Sequence, residues 1–178
     1  PEALQRWEHL RPGAPANPVS LVRADKSATT SVPTLVIPGG FADLAGTRST
    51  AEIQALFSGP LRDYWHDASG GTFHFAGQVM GWQRAPQSRS HYAGTHNGLD
   101  MWAAPNNAGR FVLDVVTAAD AAGIDWGQYD NDGPDGQPNS GDDDGMVDAL
   151  VVMHAGLGGE CGNSALWSHQ FFLAGWGY

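Results

Sequence analysis

Between Tyr129 and Asp148 the chain reads YDNDGPDGQPNSGDDDGMVD, aspartates alternating with glycines, and then turns at once into the apolar run ALVVM. Carboxylates crowded in this way repel one another unless a hard cation lies between them. Calcium takes six to eight oxygen ligands in a flexible shell, and glycine permits the sharp turns that wrap a backbone around it. Asp130, Asp132, Asp142, Asp144 and Asp148 are the oxygen donors this reading supplies. The helix-loop-helix calcium template fits incompletely: residues 133–143 interrupt the D-x-D-G-x-D-G spacing, and no glutamate closes the loop. The competing reading is a solvated acidic turn that repels itself. An apolar strand following directly favours the ordered loop.

Eight of the 19 acidic residues fall in Asp125–Asp148, so the net charge of −10 is a local property. No cluster of Lys and Arg exists to neutralise phosphates, which sets nucleic-acid binding aside. No apolar run reaches bilayer length, so no membrane span is expected, and a signal peptide, if the parent has one, is expected to be already removed. With 178 residues, 42% hydrophobic content and seven tryptophans, the chain can bury one substantial core. Cys161 is the single cysteine and forms no internal disulfide, leaving the redox compartment open. Low lysine and a calcium-type loop lean towards a secreted, extracellular protein.

Residues 1–31, with prolines at 12, 15 and 18, read as a surface leader or linker. PTLVIPGGF at 33–41 is a buried strand with a turn behind it. A helix starts near Thr50 with Ser49 or Thr50 as its cap and Glu52 in the first turn, and helical spacing resumes through Leu61, Tyr64, Trp65 and Ala68 as far as Gly70-Gly71. Residues 72–82 alternate as a strand, and 83–107 read as a long loop. Phe111, Val112, Val115, Val116 and Ala119 share one face of a helix over 109–122. Residues 147–153 predict a central strand, followed by a glycine-rich turn. Strands and helices alternating in this order predict an α/β fold.

Several pieces in this order resemble the immune inhibitor A family of secreted zinc metallopeptidases: LVIPGGFAD at 35–43, LRDYWHDASGGTFHFAGQVMGW at 61–82, HYAG at 91–94, YDNDG at 129–133, DDDGMVDALVVMHAG at 142–156, Glu160, and LWSHQ at 166–170. The resemblance covers residues 32–178. It implies an α/β (α+β) zincin-like upper lobe, a twisted mixed sheet with packed helices and a calcium-binding loop, in an enzyme that hydrolyses protein or peptide substrates. It also implies zinc, held in that family on an H-E-x-x-H helix whose glutamate serves as general base. No histidine here is followed by that pattern, so the zinc ligands are expected outside this chain. The chain is then the N-terminal part of a catalytic domain, inactive alone, whose partner is the remainder of that domain. Two other readings stay open: a non-catalytic calcium-binding or adhesion module, and a product of autoproteolysis. Continuation of the reading frame into H-E-x-x-H separates the former, and mass analysis of the parent the latter.

The resemblance ranks Asp130, Asp132, Asp144 and Asp148 first as calcium ligands, adds the carbonyl of Met146, and places Asp135 and Asp142 second. His154 and His169 occupy family-matching positions, yet each imidazole suits a backbone carbonyl at a strand end or loop. Glu160 is a ligand or a loop anchor. His66, His74, His91 and His96 have no metal-ligand spacing and read as surface or half-buried residues. Cys161 reads as a free or intermolecular thiol, and Ser168 beside His169 as no triad. Among tryptophans 65, 82, 102, 126 and 167, Trp65 and Trp82 are expected in the core and Trp102 as an exposed contact.

Overall fold

The structure, a computed structural model, describes residues 30–100, 105–162 and 164–171. The predicted leader, up to residue 29, and Trp102 lie outside the described residues. Strand β1 spans Thr30–Gly40, so its first residues reach back into the segment read as a leader. Helix α1 (Thr50–Leu56) begins at a complete capping box: the Ser49 hydroxyl accepts from the Glu52 N–H, and the Glu52 carboxylate accepts from the Ser49 N–H at 2.8 Å. A π-helical stretch, Phe57–Leu61, contains Pro60 and joins α1 to α2 (Arg62–Ala68). Proline has no N–H to give the preceding turn and its ring crowds the carbonyl four residues back. The wider π-turn accommodates both without ending the helix.

Strand β2 (Phe73–Val79) and the two-residue β3 (Gln83–Arg84) follow, then helix α3 (Arg89–Ala93), helix α4 (Ala108–Ala121) and strand β4 (Leu150–His154). The expected loop over 83–107 is therefore partly regular. Ser88 caps α3 through the His91 N–H, and Tyr92 and Ala93 are buried there. A polar, glycine-rich composition hid two apolar side chains that tertiary packing claims. Every strand pairing among the described residues is parallel, so the antiparallel member that a mixed sheet requires is not among them.

β1 is the central strand. Its even-numbered carbonyls serve one side: Val36 O accepts from Met80 N and Gly40 O from Ala85 N. Its odd-numbered groups serve β4, with Leu35 N donating to Ala149 O and Gly39 O accepting from Ala155 N. The predicted central strand at 147–153 is instead Leu150–His154, half-buried along its length, with β1 as its described neighbour.

Side chains of β1 alternate between two cores, as parallel strands covered on both faces require. Leu35 and Ile37 face Phe111, Val115 and Ala119 of α4, whereas Val36 faces Ile53 and Phe57 of the first helical unit. The molecule is thus an α/β layered structure. Gly39 fixes the spacing of one layer: a Cβ there would lie 2.7 Å from Phe111 Cζ and 2.9 Å from Val115 Cγ2. Of the two tryptophans expected in the core, Trp82 packs against both clusters, but Trp65 is 48% exposed. Helical spacing put Trp65 on a patterned face, and that face is the outer one.

Candidate metal centre

A short 3-10 turn, Trp126–Tyr129, leads into the acidic loop, and buried Tyr129 moors it. The Tyr129 hydroxyl donates to Gln78 Oε1 at 3.1 Å, and its carbonyl accepts the Asp148 N–H at 2.8 Å. The side chain of Asn131 donates to Ser31 O at 3.4 Å. Both ends of the acidic segment are thereby tied to β1 and β2, beside the entry to β4.

Residues 133–143, the insertion that spoiled the template spacing, fold out as a closed excursion. Gly133 N donates to Asp143 Oδ1, Ser140 N to Asp143 Oδ2 and Asp135 N to Asp142 Oδ2, at 3.4, 3.0 and 3.3 Å. The two ends cross so closely that a Cβ on Gly133 would sit 2.9 Å from Asp142 Cγ. This crossing brings the two halves of the motif together. One carboxylate oxygen from each of Asp130, Asp132 and Asp144 lies within 4.8 Å of the other two.

Asp130 is the centre of that group. It is 5% exposed, and its Oδ2 accepts from the Gly145 N–H at 2.8 Å. Its Oδ1 is buried with no hydrogen-bond partner. Loss of hydration raises its pKa from the ordinary aspartate value; the Gly145 N–H opposes this, and Asp143, Asp144 and Asp132 add to the rise. Asp148 is raised in the same way, first by loss of hydration and then by Asp132, Asp144 and Asp143, against the Asn131 N–H that donates to its Oδ2 at 2.9 Å. A buried carboxylate with one oxygen lacking a donor, in a residue clustered with two further carboxylates, is costly unless a cation satisfies it. The donor set is all oxygen, which suits a hard ion.

One of the expected ligands, Asp142, stands outside the three-carboxylate group. Asp142 turns to the hydroxyl of Ser140 and the Asp135 N–H, contacts that lower its pKa, and so closes the excursion without joining the three carboxylates. The reason is local: Ser140 and Asp135 offer donors at closer range. The side chain of Met146 is exposed, and its N–H donates to Asp144 Oδ1 at 2.8 Å, which orients that carboxylate. Asp135 also serves the turn, accepting from Gln137 N at 2.8 Å.

The remaining family-matching residues form tethers. His154 Nδ1 lies 3.1 Å from Ala155 O, and His169 Nδ1 lies 2.8 Å from Trp167 O. Glu160 accepts from the Ser168 hydroxyl at 2.8 Å, and hydrogen bonds to its own backbone and to Ser168 lower its pKa. Cys161 is an exposed free thiol. The sequence reading missed the roles of Gly133 and Ser140; a Gly directly after D-x-D and a Ser ahead of the triple Asp were the available signals.

The family model for the immune inhibitor A peptidase M6 catalytic domain matches residues 45–177. The chain belongs to that family. Immune inhibitor A of Bacillus thuringiensis subsp. alesti is 31% identical over 120 residues, which is 62% of this chain and 17% of that protein. The pre-pro-metalloprotease PrtV of Vibrio cholerae serotype O1 is 31% identical over 121 residues, 64% of this chain and 13% of its own length. The chain therefore spans less than a fifth of the curated relatives it matches. The resemblance to the immune inhibitor A family is confirmed over residues 45–177 as kinship with the M6 peptidases.

Proposed function

We propose that this chain is a calcium-stabilised part of a secreted M6 metalloendopeptidase, in which Asp130, Asp132 and Asp144 hold a calcium ion beside the parallel sheet. The observation that carries this reading is a buried carboxylate, Asp130, whose Oδ1 has no hydrogen-bond partner and which clusters with two other carboxylates. Asp148 and the carbonyl of Met146 complete the oxygen shell, and Asp142 and Asp135 shape the excursion that lets the ligands meet. The ion neutralises the loop, and the loop in turn anchors β1, β2 and the entry to β4.

The parent enzyme's substrate is a protein or peptide, and its zinc would polarise the scissile carbonyl and activate water. The residues here do not fit that zinc: no H-E-x-x-H occurs in the 178 residues, and the one three-carboxylate group among the described residues is a hard-ion set. Within that enzyme this chain supplies a sheet with helices against which a zinc-binding helix packs. No helix among the described residues is long and apolar enough to cross a membrane, and an extracellular setting supplies the calcium such a loop needs.

Heating scans of the chain with calcium and after chelation test the site. A ligand confined to the folded state stabilises by about 2.7 kcal/mol at a hundredfold excess over Kd, so calcium should raise Tm. Asp130→Asn combined with Asp144→Asn should abolish the increment. Superimposable wild-type curves with and without calcium would refute the site.

A further inference from the structure

His66 and His74 stand eight positions apart, a separation outside the metal motifs, yet the fold sets their rings side by side. His66 occupies the last turn of α2 and His74 the second position of β2. The ring centres are 5.2 Å apart, with planes inclined at 63°. The turn between them is tightly held. Gly71 N donates to His66 O at 2.8 Å, Gly70 N to Asp67 O at 3.1 Å, the Ser69 hydroxyl to His66 O at 3.0 Å, and Phe73 N back to the Ser69 hydroxyl at 2.9 Å. Both glycines take positive φ, 67° and 84°. The two imidazoles are thus carried on a short, hydrogen-bonded frame.

We propose that His66 and His74 form a two-imidazole site for a borderline divalent metal ion such as zinc, distinct from the carboxylate loop. Zinc–nitrogen bonds of about 2.0–2.1 Å put an imidazole centre about 3.2 Å from the ion, and two rings at a tetrahedral angle then stand about 5 Å apart. The observed spacing matches. His66 Nδ1 faces the Asp67 carboxylate at 3.4 Å, the outer carboxylate–histidine arrangement that orients a ligating ring and leaves Nε2 for the ion. Beside Nε2 lies Gly71, where a Cβ would come within 3.5 Å, so glycine leaves that approach open. Among the described residues neither ring nitrogen of His74 has a hydrogen-bond partner. Imidazole nitrogens prefer zinc, nickel or copper to calcium, and water completes the shell. Such an ion would staple the end of α2 to the start of β2.

Edge-to-face rings at this distance also pack without metal, and calorimetry separates the two cases. The full 178-residue chain, saturated with calcium, is titrated with zinc beside His66→Gln and His74→Gln, with circular dichroism to verify folding. The expected result is one zinc per chain in the wild type, binding at least ~10-fold weaker in each variant, with the ring proton signals of His66 and His74 alone shifting in NMR spectra. No zinc uptake by the wild type, or wild-type zinc affinity in either variant, would overturn the proposal.

Discussion

At the scale of residues, the chemistry concentrates on Asp130. Its folded-state pKa, and that of Asp148, lie above the values of an unfolded chain, so ionising them costs more in the fold than in the unfolded chain. Without metal, the contribution of these two groups is most favourable below the unfolded carboxylate range and declines as pH rises through their folded pKa values. Calcium requires the deprotonated carboxylates and acts in the opposite sense. The increment in Tm produced by calcium should therefore be small near pH 4 and grow to a plateau towards about pH 7. In Asp130→Asn this growth should be largely lost. Paired melting curves across that range, on metal-stripped protein with and without calcium, measure it directly.

The aspartate pattern and its glycines were legible in the sequence as an oxygen-rich loop, and Asp130, Asp132 and Asp144 do converge. What the string of letters did not disclose was the part played by Asp142. Its neighbours Ser140 and Asp135 capture it through hydrogen bonds, and the crossing at Gly133 decides which carboxylates are left to meet. Spacing along the chain is a poor guide wherever an excursion closes on itself, because the distance that matters is set by the closing contacts.

Among the elements, helix α4 and strand β1 are the most tightly matched pair. Adding a methyl at Gly39 places it within 3 Å of Phe111 and Val115, and overpacking of this kind costs about 1–3 kcal/mol. Gly39→Ala should lower the urea midpoint accordingly, without altering the calcium increment if the loop is energetically separate. At the N-terminus of the same helix, fully buried Asn107 accepts from the Arg110 N–H at 2.7 Å and donates to Asp100 O at 3.0 Å. Asn107→Ala should cost about 1–2 kcal/mol, again read from denaturant unfolding. Periodicity revealed α4 to within a residue at each end, since Phe111, Val115 and Ala119 share a face. It did not reveal α3, whose five residues are too few to show a period, nor the outward turn of Trp65.

For the whole molecule, membership of the M6 peptidase family is a property of a match spread over most of the chain, and the H-E-x-x-H pattern expected for the zinc of the proposed parent enzyme does not occur in these 178 residues. The purified chain should show no hydrolysis of a casein or peptide substrate with zinc and calcium supplied. Robust zinc-dependent cleavage would show that another constellation of residues performs the chemistry.

The sequence alone determined the alternation of strands and helices, the apolar faces that make β1 a shared wall, the family and the acidic loop, because all of these are written in local spacing and composition. The tertiary structure alone decided that β1 and not 147–153 is the centre of the sheet. It also decided that Asp142 serves the turn and that His66 meets His74. Those outcomes depend on hydrogen bonds and side-chain contacts between segments that only folding brings within reach, and no period in the sequence encodes a distance across such a gap.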